Sequence, residues 1–321
     1  MGDLAGGGFN SAAMGISRNG QYVVGYGASA STGYEGFRWQ DLNGNGVADP
    51  GEMIGLGLLP GLSASHAMAV TNAGTVTGYA ENPGSGPGTQ AFIWQDDNMN
   101  GQSDPGEMRV LPDLPGGGVY NSGYAFSGDN RTIVGTANDG TYPFDAARWV
   151  RGAGGNWEAS SLGQVGVGHA VSHDGSVIVG FMNTSQGQEG FVWTGATGMV
   201  PISDFAGGRV WSNLDDVTDD GSVAVGFGET ASRQEALIWD RINGIRSVQD
   251  FLGGYGLDLA GWTLLAATGI SRDGSTIIGF GINPSGYTEA WVAQVPLPGA
   301  VLLGAMGLSF AGCLLRRRSA S

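Results

Sequence analysis

The stretch GHAVSHDGSVIVGFMNTSQGQEGFVWTGATGMVPIS, residues 168–203, decides the fold. Its β-branched and aromatic runs HAVS, SVIVGFM, EGFVWT and GMVPIS alternate with turns, and Asp174-Gly175 is a pair that tolerates the positive φ angles of a two-residue hairpin. The segment therefore predicts four short antiparallel strands, a to d. Trp193 falls in strand c, where a wide ring packs between stacked sheets.

The same unit recurs along the chain. An anchor of the type S-x-[DN]-G-x-x-[VI]-[VI]-G reads SRNGQYVVG, TNAGTVTG, SGDNRTIVG, SHDGSVIVG, TDDGSVAVG and SRDGSTIIG, ending at Gly25, Gly78, Gly135, Gly180, Gly226 and Gly279. Each glycine is followed by a tryptophan: Trp39, Trp94, Trp149, Trp193, Trp239 and Trp291. A second piece, MGDLAGGGFNSA, LPDLPGGGVYNSG and ISDFAGGRVWSN, opens repeats one, three and five, with the variants LGLLPGLSASHA and VQDFLGGYG opening two and six. Four-strand units of about fifty residues fit propeller blades better than solenoid rungs. The expectation is an all-β, six-bladed β-propeller over residues 1–295. The GH and WD signatures of the WD-repeat class are absent.

Composition agrees with tight turns and excludes several functions. The 321 residues include 61 Gly, yet hydrophobic residues make up 41% and no G-X-Y period exists, so collagen and disorder both fail. A net charge of -15 disfavours nucleic acid, whose phosphates need clustered Lys and Arg. The chain has no Lys at all, which removes the P-loop and Schiff-base lysines. The single Cys, Cys313, forms no internal disulfide.

The two ends carry their own expectations. The last repeat stops at strand c, EAWVAQV, while Met1-Gly2-Asp3-Leu4 resembles the tail of a strand d such as VLPDL at 110–114. An N-terminal strand is expected to complete the last blade, with upstream sequence missing, and no secretion leader precedes the first repeat. At the other end, residues 296–321 form a separate tail. Residues 299–315 are uncharged, at the short end of what spans a bilayer, and Arg316, Arg317 and Arg318 follow. By the positive-inside rule those arginines stay cytoplasmic and the propeller lies beyond the inner membrane.

Val295, Pro296, Leu297 and Pro298, the apolar helix and the terminal arginines resemble the PEP-CTERM class of bacterial sorting signals, close to its VPLPA variant with Gly299 in place of Ala. That resemblance implies recognition by an exosortase-type sorting enzyme, a transient membrane anchor, cleavage near VPLP, and release or attachment at the surface of a Gram-negative bacterium. The repeats resemble the HAF extracellular repeat: QAFIW at 90–94 keeps its Ala-Phe-x-Trp part, while DAARW and EALIW depart from it and the His of the family's name is missing from every copy. Residues 257–291 resemble the last unit of many such exported proteins. This family implies an extracellular place and no enzyme activity.

DLNGNGVADPGE at 41–52 returns as DDNMNGQSDPGE at 96–107, and both match D-x-[DN]-x-[DN]-G-x5-E. Calcium takes six to eight oxygens, and this spacing supplies them from Asp41, Asn43, Asn45, the Val47 carbonyl, Asp49 and Glu52, and from Asp96, Asn98, Asn100, the Gln102 carbonyl, Asp104 and Glu107. Pro50-Gly51 and Pro105-Gly106 break the helix that would follow in an EF-hand. Each dozen instead joins strand c to strand d, and the expected affinity is weak, about 10⁻⁴ to 10⁻³ M.

Catalytic signatures are few. His169 and His173 have metal-pair spacing for a helix, but on a strand they stand roughly 13 Å apart. No G-x-S-x-G, H-E-x-x-H or Cys pair occurs, and the S-x-D starts of SHDGS and SRDGS, reminiscent of sialidase boxes, are hairpin turns. The expectation is a non-catalytic, exported, calcium-stiffened surface or matrix protein that binds exopolysaccharide or another surface component. The alternative is a propeller enzyme acting on extracellular polysaccharide. The GGGFNS, GGGVYNS and GGRVWSN loops, on the face opposite the calcium dozens, are the expected binding face.

Overall fold

The structure is a computed structural model that describes residues 3–30, 33–47, 49–83, 88–141 and 144–295. The sorting-tail residues Pro296, Leu297, Pro298, Arg316, Arg317 and Arg318, and the apolar segment 299–315, lie outside the described residues. Among the described residues no helix is long and apolar enough to cross a membrane.

Among the described residues the chain is all-β apart from one short helix. The first sheet has strands β1 (Ser11–Ile16), β2 (Val23–Ala28), β3 (Tyr34–Trp39) and β4 (Met53–Gly55); the second has β5 (Ala64–Val70), β6 (Val76–Glu81), β7 (Thr89–Trp94) and β8 (Met108–Val110). Both are antiparallel meanders. A seven-stranded sheet follows, with β9 (Ser122–Phe126), β10 (Thr132–Ala137), β11 (Asp145–Arg151), β12 (Trp157–Val171), β13 (Val177–Asn183), β14 (Gln188–Thr194) and β15 (Gly198–Pro201). Next come β16 (Asn213–Val217), β17 (Val223–Glu229), β18 (Gln234–Asp240) and β19 (Gly244–Ser247), then helix α1 (Val248–Gly254), and last a three-stranded sheet of β20 (Thr263–Ile270), β21 (Thr276–Ile282) and β22 (Thr288–Gln294).

The S-x-[DN]-G anchor is a self-satisfied turn. Ser172 Oγ donates to Asp174 Oδ1 at 2.8 Å and accepts from Val177 N at 3.0 Å, while Ser176 N donates to Asp174 Oδ1. Gly175 follows with φ +75°, which glycine reaches without strain. In the third repeat Asn130 takes that place at φ 60°. The anchor's final glycine answers a different need. A Cβ on Gly180 would overlap the Val167 carbonyl, and the same overlap with the opposing strand occurs at Gly25, Gly78, Gly135, Gly226 and Gly279. In each pair the first strand carries a register shift that pushes its carbonyl across.

Each sheet packs face to face on the next, with its first strand nearest the previous sheet: β5 lies on β1–β3, β9 on β5–β7, β16 on β12–β14 and β20 on β16–β18. Five apolar clusters fill these four junctions and the fold within the seven-stranded sheet. Val24 meets Val76 and Trp94; Ile93 meets Ile133 and Trp149; Val134 meets Ile178 and Trp193; Val179 meets Leu214 and Ala224; Val225 meets Ile277 and Trp291. The arrangement is propeller-like.

Three details differ from the sequence expectation. Repeats three and four share β12, because Gly163–Gly166 is too short for a Gly-rich loop and strand d runs straight into strand a; the sheet then folds back so that β10 and β11 pack on β13 and β14. VQDFLGG forms α1 rather than a loop, since Ser247 caps it by accepting from Gln249 N and Asp250 N. Trp291 pairs with Gly279, whereas the other five tryptophans pair two residues earlier, as Trp193 does with Ile178. The last sheet has no fourth strand among the described residues; Met1 and Gly2 lie outside them, and Asp3 and Leu4 are not in a strand.

Candidate functional site

Meander topology divides the loops between two ends. Links between first and second and between third and fourth strands share one end. Links between second and third strands, and from one sheet to the next, share the other.

Both acidic dozens lie at the first end, as third-to-fourth strand links. Their backbones wrap the same oxygens. Asp41 accepts from Gly44 N and Gly46 N at 2.6 and 2.8 Å, and Asp96 accepts from Asn100 N and Gly101 N at 3.1 and 2.9 Å. These N–H groups, Gly46 first, hold the Asp41 carboxyl below its ordinary range despite some desolvation. Asn43 and Asn45 both donate to Asp49 Oδ2, and Asn98 and Asn100 both donate to Asp104 Oδ2, at 2.6 to 2.8 Å. Glu52 and Glu107 are buried; Glu52 accepts from Leu42 N and Asp49 N, and Glu107 from Asp97 N and Asp104 N. Val47 and Gln102 donate through N to Asn45 and Asn100. Thus every sequence-chosen ligand residue is drawn into one of two loops. Among the described residues, however, no three His, Cys, Asp or Glu side chains form a metal cluster, so the acids alone do not make a cage. A cation there needs the Asn oxygens and a carbonyl as well, which is donor chemistry suited to calcium.

The loops are tied to their sheets unequally. Trp94 Nε1 donates to Ser103 Oγ at 3.1 Å, and Ser103 Oγ donates to the Leu56 carbonyl at 2.9 Å. Arg38 lies over Trp94, 4.7 Å from the ring centre, and its Nη2 stands 3.9 Å from Asp96 Oδ2. Burial lowers the Arg38 pKa, against the pull of Tyr22, Asp96 and Glu107. Arg109 pairs with Asp97. The second loop therefore faces two guanidinium groups.

At the axis of the same end the turns between first and second strands meet. Asp129 N donates to His173 O, His173 N to Asp219 O and Asp219 N to Arg272 O, all near 2.9 to 3.0 Å. His169 is elsewhere, on β12, with Nδ1 3.6 Å from Asp215 Oδ1. The two histidines do not form a metal pair. His66 stacks on Tyr79 at 4.7 Å, and its Nε2 sits 3.3 Å from Glu81 Oε1 but off-line for a hydrogen bond. Desolvation lowers the His66 pKa, opposed by Glu81, and pushes Tyr79 up to about 12.

The opposite end carries the glycine-rich loops. Exposed Phe9, Val119, Trp211, Tyr255 and Tyr287 all belong to its links. Asp204 organises one of them by accepting from Phe205 N and Trp211 N at 2.7 Å and Glu229 N at 3.0 Å. Arg209 pairs with Glu229 and lies 4.2 Å over Trp211. Beside this loop a cleft of about 750 Å³ is walled by Phe205, Phe251 and Tyr255, with Glu235, Asp250 and Arg246 at its polar side. Phe251 and Tyr255 meet edge to face at 5.2 Å, and the Arg246 guanidinium lies over the Phe251 ring, 5.0 Å from its centre, while pairing with Asp240. Sequence reading missed this cleft because Phe251 and Tyr255 come together only on α1. The recurring Asp before the glycines, at Asp3, Asp113 and Asp204, was the available signal for the loop organisers.

No protein-family model and no curated protein matches the chain. Solved structures do resemble it. An acylaminoacyl peptidase from Pyrococcus horikoshii matches with TM-score 0.52 and 10% identity over 92% of this chain and 46% of that one. A prolyl endopeptidase matches with TM-score 0.50 and 12% identity over 90% of this chain and 42% of that one. A putative TolB from Agrobacterium tumefaciens gives TM-score 0.49 and 13% identity over 89% and 90%. The chain spans less than half of either peptidase, and at these identities the likeness is one of fold: a β-propeller.

Proposed function

We propose that this chain is a non-catalytic propeller of an exported surface or matrix protein, which binds a glycan through the end that carries Phe205, Phe251 and Tyr255. Five face-to-face junctions between successive repeats, with β12 shared by two repeats, support a reading of six blades. The observation that carries the binding reading is the aromatic cleft: ring faces cover the apolar side of a sugar, while Glu235 and Asp250 accept from its hydroxyls. With no Lys in the chain and carboxylates on the rim, a neutral or amino sugar fits better than a uronate.

Calcium at the two acidic loops stiffens the opposite end in this reading. Asp41, Asn43, Asn45, the Val47 carbonyl, Asp49 and Glu52 would hold one ion, and Asp96, Asn98, Asn100, the Gln102 carbonyl, Asp104 and Glu107 the other. Export and exosortase processing at Val295–Pro298 remain part of the proposal and rest on the sequence of the tail. The test is a glycan array on residues 1–295, repeated with Phe251→Ala/Tyr255→Ala, beside a polysaccharide hydrolysis screen. Glycan binding lost in the double variant supports the reading. Turnover abolished by one carboxylate substitution would overturn it in favour of the propeller enzyme.

A further inference from the structure

The last and first sheets each expose a face that every other sheet buries. The residue before the anchor glycine is fully buried at Val24, Thr77, Val134, Val179 and Val225, yet Ile278 is 45% exposed. Its cross-strand partner is at most 9% exposed at Arg38, Ile93, Val192 and Ile238, yet Val292 is 70% exposed. Phe280 is exposed on the same face. On the first sheet, Ile16 is 64% exposed where Val70, Val171, Val217 and Ile270 are buried, and Val23 and Trp39 are only half-buried.

These are the two halves of one junction. At the five filled junctions, the second-strand Val and its partner receive the next sheet's first two strands and its Trp-bearing strand. Ile278 and Val292 present the receiving half, and Ile16, Val23 and Trp39 the half that enters it. Between β20–β22 and β1–β4, however, no pair of strands packs as the consecutive sheets do. The faces do not close on one another.

We propose that the cleft between β20–β22 and β1–β3 is a docking surface for one further four-stranded sheet of this same repeat. Such a sheet continues the existing interface in both directions, placing its Trp-bearing side on Ile278 and Val292 and its second-strand Val on Ile16. A single added strand would pair with the free edge of β22 but leave both apolar faces wet. The inference rests on the propeller fold and is independent of glycan or calcium binding, so an array result bears on neither its success nor its failure.

The test fuses a copy of residues 166–203 directly ahead of Asp3 in the full chain, because Asp3-Leu4 matches the Asp204-Phe205 that follows that repeat. The expected result is a higher Tm that does not depend on protein concentration, together with slowed amide exchange in β21 and β22. A second variant, Val292→Asp, is expected to leave the Tm of the unextended chain within about 2 °C, as exposed substitutions do, and to abolish the gain in the extended one. Three results would overturn the proposal. They are an unchanged Tm and exchange on extension, a disulfide formed readily by Ile16→Cys with Val292→Cys in the unextended monomer, or β22 protected only in a dimer seen by sedimentation.

Discussion

Arg18 donates a charged hydrogen bond to Asp219, 201 residues further along the chain. Its Nη1 also stands 3.2 Å from His173 Nδ1, so the turn of the first sheet reaches those of the fourth and fifth repeats across the axis. Both members of the pair are partly exposed, and the neighbouring turns are already joined by backbone bonds. Arg18→Ala should therefore cost only about 1 kcal/mol, and the cost should shrink in high salt. Denaturant melts at low and at 1 M salt check this.

Calcium should bind the first loop more tightly than the second, because Asp96 has Arg38 3.9 Å away while no ion pair reaches Asp41 among the described residues. At 10 mM calcium, sites of about 10⁻⁴ to 10⁻³ M would each stabilise the fold by about 1.4–2.7 kcal/mol. Calorimetry on Glu52→Gln and Glu107→Gln separately resolves the order. The double variant should show no calcium-dependent rise in Tm.

Gly180→Ala should destabilise by more than about 3 kcal/mol, since the new Cβ would overlap the Val167 carbonyl in the middle of a paired strand. Gly195→Ala, with open space around its site, is the matched control and should change little. Urea midpoints of the two variants provide the comparison.

Burial, helped by a shared hydrogen bond and the charge of Asp139, raises the Asp145 carboxyl to about 6. An unfolded Asp titrates near 3.8, so between these values the native chain holds a proton that the unfolded chain has lost. The resulting stability is fully present below about pH 3.8 and is lost as pH rises through 6. Asp145→Asn removes the cost and lets an amide donate to Asp139. The variant should gain about 1–2 kcal/mol at pH 8 and nothing at pH 3.5. Thermal melts across that range check the crossover.

Asp204→Ala should leave the Phe205, Trp211 and Glu229 N–H groups without their acceptor, at a cost of about 2–4 kcal/mol. Because Phe205 walls the aromatic cleft, glycan affinity should fall with it. Urea melts and the glycan array read the two effects separately.

The local elements were legible in the sequence because their causes are local. A hydroxyl, an Asx carboxylate and a glycine within four residues make the SHDG turn whatever surrounds it, and period-two apolar runs on either side make strands. The two acidic dozens were legible for the same reason: Asp41 and Glu52 find their N–H donors inside their own loop. Repetition then multiplied a short-range signal into an architecture.

What the sequence could not decide is which residues meet across sheets. The aromatic cleft needed Ser247 to cap α1 and bring Phe251 and Tyr255 beside Phe205, which is more than forty residues earlier. Sharing of β12 depended on how little chain separates two repeats. The exposed Ile278 and Val292 read in sequence as ordinary core residues, because a strand's pattern reports that a face is apolar and not whether a neighbour covers it. That last fact depends on closing the ring, a distance set by every junction at once, so only the tertiary structure carries it.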